Sequence, residues 1–341
     1  MNKIRRNHTR TFYYFSTMAA EGGRVAAAEA IPREATHINV LARVIPECAF
    51  RGHPNIVEVI CHESVEKIER GAFSGCRSLR RVIMPGVKIV ECRAFDSCRA
   101  LTNVECGKLE VIKESAFIGC LSLKSISLPS ARSVELYAFG FCEALTDVKF
   151  GDKLERFGYH TFCSCTSLER ITIPLKDGLF SDNNTFAGCD NFSHVDLVEG
   201  AELHETAAAL QLKEWRNDMN QEIDSINQIL PNARAGIYID EDAHDYGEKA
   251  QAIRRRIGSV LRKINHYQAE HQRILDEEVE PTLQLALPHD IVMNNILPFL
   301  ELPSHTFQVG DDEDNHGDSY SDGSSFEGEE SEMEEDNSDD D

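Results

Sequence analysis

One block, built around an aromatic residue, recurs seven times in this chain and constrains its fold more than any other feature. The copies read CAFRGHPNI, GAFSGCRSL, RAFDSCRAL, SAFIGCLSL, YAFGFCEAL, HTFCSCTSL and NTFAGCDNF. Their aromatic anchors are Phe50, Phe73, Phe95, Phe117, Phe139, Phe162 and Phe186, spaced 23, 22, 22, 22, 23 and 24 residues apart. A unit of that length cannot bury its own apolar face, so the copies must stack on one another around a shared core.

The flanking positions say how each unit is built. Five residues before the anchor stands an apolar residue (Ile45, Ile68, Val90, Ile112, Val134, Phe157), except in the seventh copy, which has Ser181. After the anchor, apolar residues recur at the sixth, ninth and eleventh positions, as in Leu79, Val82 and Met84 of the second copy. The alternation, closed in most copies by Pro or Gly, reads as one short strand per repeat. Ile38 and Val40 fit an incomplete capping strand ahead of the first copy. The expected fold class is therefore α+β. A solenoid of about seven 22–24-residue repeats over 36–198 precedes a helical region over 203–302, between a disordered basic leader (1–35) and a disordered acidic tail (310–341).

The pattern I-x-x-x-A-F-x-x-C-x-x-L-x-x-I-x-[IL]-P resembles the BspA-type leucine-rich repeat, and six of the seven copies carry its cysteine. The wider arrangement, including KEWRNDMNQEIDSINQIL and LPHDIVMNNILPFLELP, is similar to a set of diatom proteins with such repeats. The resemblance implies a solenoid and brings no enzymatic activity with it. In secreted bacterial members the repeats serve adhesion, but the N-terminus here lacks the apolar core of a secretory signal.

Residues that might carry chemistry are better explained by the repeat. Cys76, Cys98, Cys120, Cys142, Cys165 and Cys189 occupy the same place in successive copies, which makes a buried ladder of small side chains rather than a convergent metal site. Cys163 with Cys165 is a lone C-x-C whose second member belongs to that ladder. Eleven cysteines, an odd number without a secretory signal, argue for reduced thiols. None of the H-E-x-x-H, G-x-S-x-G, Walker or dinucleotide-binding signatures occurs. His53, in place of the repeat cysteine, and His160 read as structural variants. We expect no catalytic residues, no metal and no cofactor.

Between the inward positions of each strand lie two outward ones, which stacking aligns into columns. One column reads Glu58, Arg81, Asn103, Ser125, Asp147, Arg170 and His194; the other reads Ile60, Ile83, Glu105, Ser127, Lys149, Thr172 and Asp196. Mixed charges, small polar groups and two isoleucines expected to be exposed suit a protein or peptide partner. Nucleic acid would want a basic stripe, which this face lacks. The plain alternative is a solvated sheet surface.

Beyond Leu203 the period becomes helical. Leu212, Trp215, Met219, Ile223, Ile226 and Leu230 form one stripe, ended by Pro231, and Ile253, Ile257, Leu261, Ile264 and Tyr267 form another. These helices, over 203–275, would form a hairpin that either caps the solenoid or self-associates. Arg254, Arg255, Arg256, Arg262 and Lys263 make the second helix basic, as a solvated face or as partners for Glu222 and Asp224. The segment 287–304, LPHDIVMNNILPFLELPS, is similar to the opening of an F-box. That implies an alternative role as a ubiquitin-ligase substrate adaptor docking a Skp1-like subunit, although Pro298 interrupts its helix.

The formal charge of −23 is concentrated at the end, where 311–341 hold sixteen Asp or Glu and no Lys or Arg. Such a run cannot bury enough apolar surface to fold. Ser324, Ser331 and Ser338, each with an acid three residues on, suit an acidophilic kinase. The basic leader fits either an unstructured segment or a targeting peptide. With no run of eighteen apolar residues, no membrane span is expected, and the expected compartment is intracellular, by default cytoplasmic.

Overall fold

In a computed structural model, residues 32–198, 221–222, 224–236 and 247–274 are described, together with the backbone of 5–7 and 10–15. The leading helical stripe up to Met219, the F-box-like segment 287–304 and the acidic tail with Ser324, Ser331 and Ser338 lie outside the described residues.

Each repeat supplies two strands, not the single one expected. The expected strands form the platform: His37–Val40, Glu58–Cys61, Arg81–Ile83, Asn103–Glu105, Ser125–Leu128, Asp147–Phe150, Arg170–Pro174 and His194–Val198. A second parallel sheet runs behind it through Val44–Ile45, Lys67–Ile68, Ile89–Val90, Val111–Ile112, Ser133–Val134 and Arg156–Phe157. The apolar residue five before each anchor is the inward half of such a return strand. A two-residue strand has one inward side chain and so shows no alternation for the sequence to reveal. In the seventh copy Phe180 replaces Ser181, joining Phe157 in a parallel bridge with ring centroids 5.4 Å apart.

Between the sheets the anchors stack. Phe50, Phe73, Phe95, Phe117, Phe139, Phe162 and Phe186 lie with ring centroids 4.8–5.7 Å apart, the one-rung spacing of a parallel ladder. Their backbones form a further ladder: Phe50 N–H donates to Ala72, Phe73 to Ala94, Phe95 to Ala116 and Phe117 to Ala138. The chain turns sharply on both sides of the first six anchors, with a left-handed residue two before each and another two after it; Phe186 has only the second, Gly188. Glycine takes some of these positions (Gly71, Gly75), but Arg93, Ser97, Tyr137 and Phe141 take others at φ of 51° to 57°. Their N–H groups are thereby aimed at the next rung, as in Arg93 to Glu114 at 3.0 Å.

The ladder cysteines are buried as expected, and they also donate. Each Sγ reaches the anchor carbonyl of the preceding rung: Cys76 to Phe50, Cys98 to Phe73, Cys120 to Phe95, Cys142 to Phe117, Cys165 to Phe139 and Cys189 to Phe162, at 2.9–3.3 Å.

Both ends of the stack are covered. Within the leader 1–35, expected to be disordered, Arg10–Phe15 forms a strand parallel to His37–Val40, and Arg5–Asn7 pairs antiparallel to it. The physical reason is the open edge of His37–Val40, whose unpaired backbone groups template a β-prone segment such as FYYF. At the other end, helical residues at 221–222 and 224–229 lead into a 3-10 turn (Leu230–Asn232), and helix α1 spans Lys249–Ile274. Ile226, Leu230, Ala250, Ile253 and Ile257 join the core of the repeats. Of the two arrangements the sequence left open, the cap is the one formed. Arg256 and Lys263 hold Glu222 at 3.3 and 2.9 Å, while Arg254 turns to the Phe180 and Asp182 carbonyls. Lys249, 1% exposed, donates to the carbonyls of Cys189, Asp190 and Phe192, and Gly236 O accepts from Gly188 N–H as an eighth rung would.

Candidate interaction surface

Parallel register fixes the outward columns. Glu58 stands beside Arg81 and Arg81 beside Asn103, while Ser125, Asp147, Arg170 and His194 follow one another in the same way. In the second column Ile60, Ile83 and Glu105 are neighbours, as are Ser127, Lys149, Thr172 and Asp196. All fourteen side chains are exposed or half-buried, and the alternate residues Val59, Val82, Val104, Ile126, Val148, Ile171 and Val195 are buried.

The platform pairing divides into two sheets, one ending at Asn103–Glu105 and the other beginning at Ser125–Leu128. Neither Ser125 nor Ser127 fills much space, so the middle of the face is its least crowded part. The charges pair across rungs and along single strands. Arg81 lies 3.5 Å from Glu58 and 2.8 Å from Glu105, which also accepts from Asn103 Nδ2 at 3.2 Å. Arg170 lies 2.8 Å and His194 3.0 Å from Asp196, and Lys149 lies 3.7 Å from Asp147. Exposed pairs of this kind add little stability, but they hold long side chains in fixed positions.

Ile60 and Ile83 are half-buried rather than exposed. Register puts each against the other, with Asn39 beyond Ile60, so neighbours cover their flanks. Among the described residues, the large apolar residues that do stand out are Leu41, directly after the strand His37–Val40, and Tyr159, on a turn after Arg156–Phe157, at 48% and 53% exposure. Sequence reasoning also stopped the columns one rung early. His37 and Asn39 continue them, His37 lying 3.7 Å from Glu58, and their alternation with Ile38 and Val40 was the available signal.

All eleven cysteines are free thiols. Burial pushes Cys61, Cys76 and Cys106 up to about 12 and Cys163 to about 11, and it holds Cys98, Cys120 and Cys165 well above the ordinary thiol value. A thiol held protonated is a poor nucleophile and a poor ligand. Among the described residues no three or more His, Cys, Asp or Glu converge to hold a metal ion. Burial lowers the pKa of His53, which lies 3.3 Å from the Pro32 carbonyl. It also lowers that of His160, whose ring stacks on Tyr137. No helix among the described residues is long and apolar enough to cross a membrane.

The chain matches the family described as BspA type Leucine rich repeat region in 6 copies, over residues 43–131 and 110–209. Its repeat region belongs to the BspA-type leucine-rich repeat family. Solved structures to which the chain is similar include three bacterial proteins. A Leucine Rich Repeat protein of T. pallidum is 19% identical, with 57% of this chain and 78% of that one covered at a TM-score of 0.36. A leucine-rich repeat protein from Bacteroides ovatus is 20% identical, with 58% and 75% covered at a TM-score of 0.33. The pneumococcal vaccine antigen PcpA is 17% identical, with 54% and 70% covered at a TM-score of 0.29. No curated protein matches the chain. BspA-type repeats are matched between 43 and 209, and repeat proteins of this class generally mediate contacts between proteins.

Proposed function

We propose that this protein is a non-catalytic scaffold whose platform face binds a protein or peptide partner. The observation that carries this reading is the pair of outward columns. Fourteen side chains, with His37 and Asn39 as a further pair, are set in rows by parallel register within the two platform sheets, each hydrogen-bonded rung to rung. A face already ordered before binding loses little conformational entropy when a partner arrives. Its mixed charges favour a partner with its own mixed polar surface over a uniformly charged polymer. Buried, protonated thiols and histidines engaged with backbone or ring neighbours support a role in binding rather than in catalysis.

The test is affinity purification with quantitative mass spectrometry, comparing wild type with Ile60→Asp/Ile83→Asp, with folding followed by circular dichroism. Loss of specific partners from a folded variant is the expected outcome. An unchanged partner list from a folded variant removes the platform from consideration.

A further inference from the structure

A separate surface lies on the turns that join each platform strand to its return strand. The residue seven before each of the first six anchors runs Arg43, Glu66, Lys88, Glu110, Arg132, Glu155. These residues are consecutive rungs of one ladder, each N–H donating to the carbonyl of the previous member at 2.8 Å. Cations and carboxylates alternate along it, and two neighbouring pairs close as ion pairs: Arg43 with Glu66 at 2.9 Å and Arg132 with Glu155 at 3.2 Å. Alone, this column is electrically balanced.

The column two residues earlier is not. It reads Leu41, Ser64, Gly86, Lys108, Ser130 and Lys153, adding two lysines beside Glu110 and Glu155 and no acid anywhere. The result is a cleft lined by Lys88, Lys108, Glu110, Ser130, Arg132 and Lys153, four cations against one carboxylate, on a chain whose net charge is −23. Its four cationic side chains are exposed, and Lys88, Lys108 and Lys153 form no ion pair among the described residues. Ser130 Oγ donates to the Gly107 carbonyl at 2.9 Å, which fixes the cleft floor.

We infer that this cleft binds an extended acidic peptide, with anionic side chains at every third position. Lys108 and Lys153 are two rungs apart, about 10 Å at the usual strand spacing. A peptide in the polyproline II conformation has three residues per turn and advances about 9 Å in that turn, so acids at positions one and four point the same way and reach the two lysines together. Arg132 between them holds Glu155 through Nη1 at 3.2 Å and has further N–H donors for a second carboxylate. A nucleic acid is the poorer fit, because Glu110 and Glu155 interrupt the positive charge at alternate rungs and would face its continuous phosphates.

The probe is a fluorescein-labelled peptide carrying three glutamates, each separated from the next by Gly-Ser, titrated by anisotropy against the full chain at low salt. Binding by wild type and at least about tenfold weakening in Lys108→Glu/Lys153→Glu are expected, with a change below about twofold in Lys124→Glu/Lys176→Glu, since two reversed contacts each carry a substantial share of such an interaction. Circular dichroism verifies that both variants fold. The inference is overturned if wild type does not bind, or if both double variants weaken alike. It is equally overturned if a single-stranded oligonucleotide binds more tightly with the same lysine dependence. The platform reading is untouched by any of these results, because the two surfaces share no residue.

Discussion

Cys98 Sγ lies 3.2 Å from the Phe73 carbonyl, whose other lone-pair direction is taken by Cys76 N–H at 3.0 Å. A buried carbonyl with two acceptor sites is thus satisfied twice, by backbone from its own rung and by a thiol from the next. Alanine at this position would keep the volume roughly right and forfeit the second bond. The same burial dictates reactivity. Only Cys48 and Cys92 are half-buried, the other nine being buried, so a native-state alkylation assay should label two thiols quickly and the rest only on denaturation. Rapid labelling of a ladder cysteine would contradict the packing. Arg93 tests the left-handed turn: it is exposed at φ 55°, a conformation costing about 1 kcal/mol for a residue with a Cβ. Arg93→Gly should leave urea stability unchanged or raise it by about 0.5 kcal/mol, and Arg93→Val should lower it by about 1–2 kcal/mol, β-branching being least tolerated there.

At the scale of elements, the platform strands were legible because each has two inward side chains in alternation, and the columns followed from that alternation alone. The return strands were not, because Ile45 or Val90 is a single inward residue with nothing to alternate against. Phe180 was hidden by the extra residue that shifts Ser181 into its place. Burial of Ile60 and Ile83 was equally out of reach, since it depends on neighbouring rungs rather than on the strand itself. Pairing of Glu222 with the basic residues of α1 was one of the two roles the sequence left open for them, whereas the buried Lys249 was not foreseen, because a lysine at a helix start carries no sign that three carbonyls converge there. The Glu222 contact gives the cap a pH dependence. Burial works against its charge, but Lys263 and Arg256 outweigh this and hold its pKa below the ordinary carboxylate value. A carboxylate with a depressed folded-state pKa contributes stability that is complete above its unfolded pKa, about 4.5, and is lost as pH falls through the folded value. Amide exchange within 249–274 should therefore quicken relative to the repeats below about pH 4, and Lys263→Met should move that onset upward. Equal acid sensitivity in the repeats and the cap would contradict the assignment.

For the repeat region with its cap, the same few contacts repeat rung after rung: two strand ladders, a backbone ladder at the anchors, the ring stack and the thiol bonds. Each rung touches only its neighbours, so order is propagated along the stack rather than imposed by one central core. The open ends are where such a stack is weakest, and both are used up, one by Arg10–Phe15 and the other by the Lys249 and Gly236 contacts. Between those ends the platform stays open, with many of its charges paired and its middle marked by Ser125 and Ser127. That face is the centre of the functional account, and photo-crosslinking tests it most directly. A benzophenone amino acid placed at Ser125 or Ser127 should capture the same partner, while placement at Arg99 or Arg156, exposed positions off the platform, should capture none. Equal capture from Arg99 or Arg156, with none from the two serines, would place the partner elsewhere on the molecule.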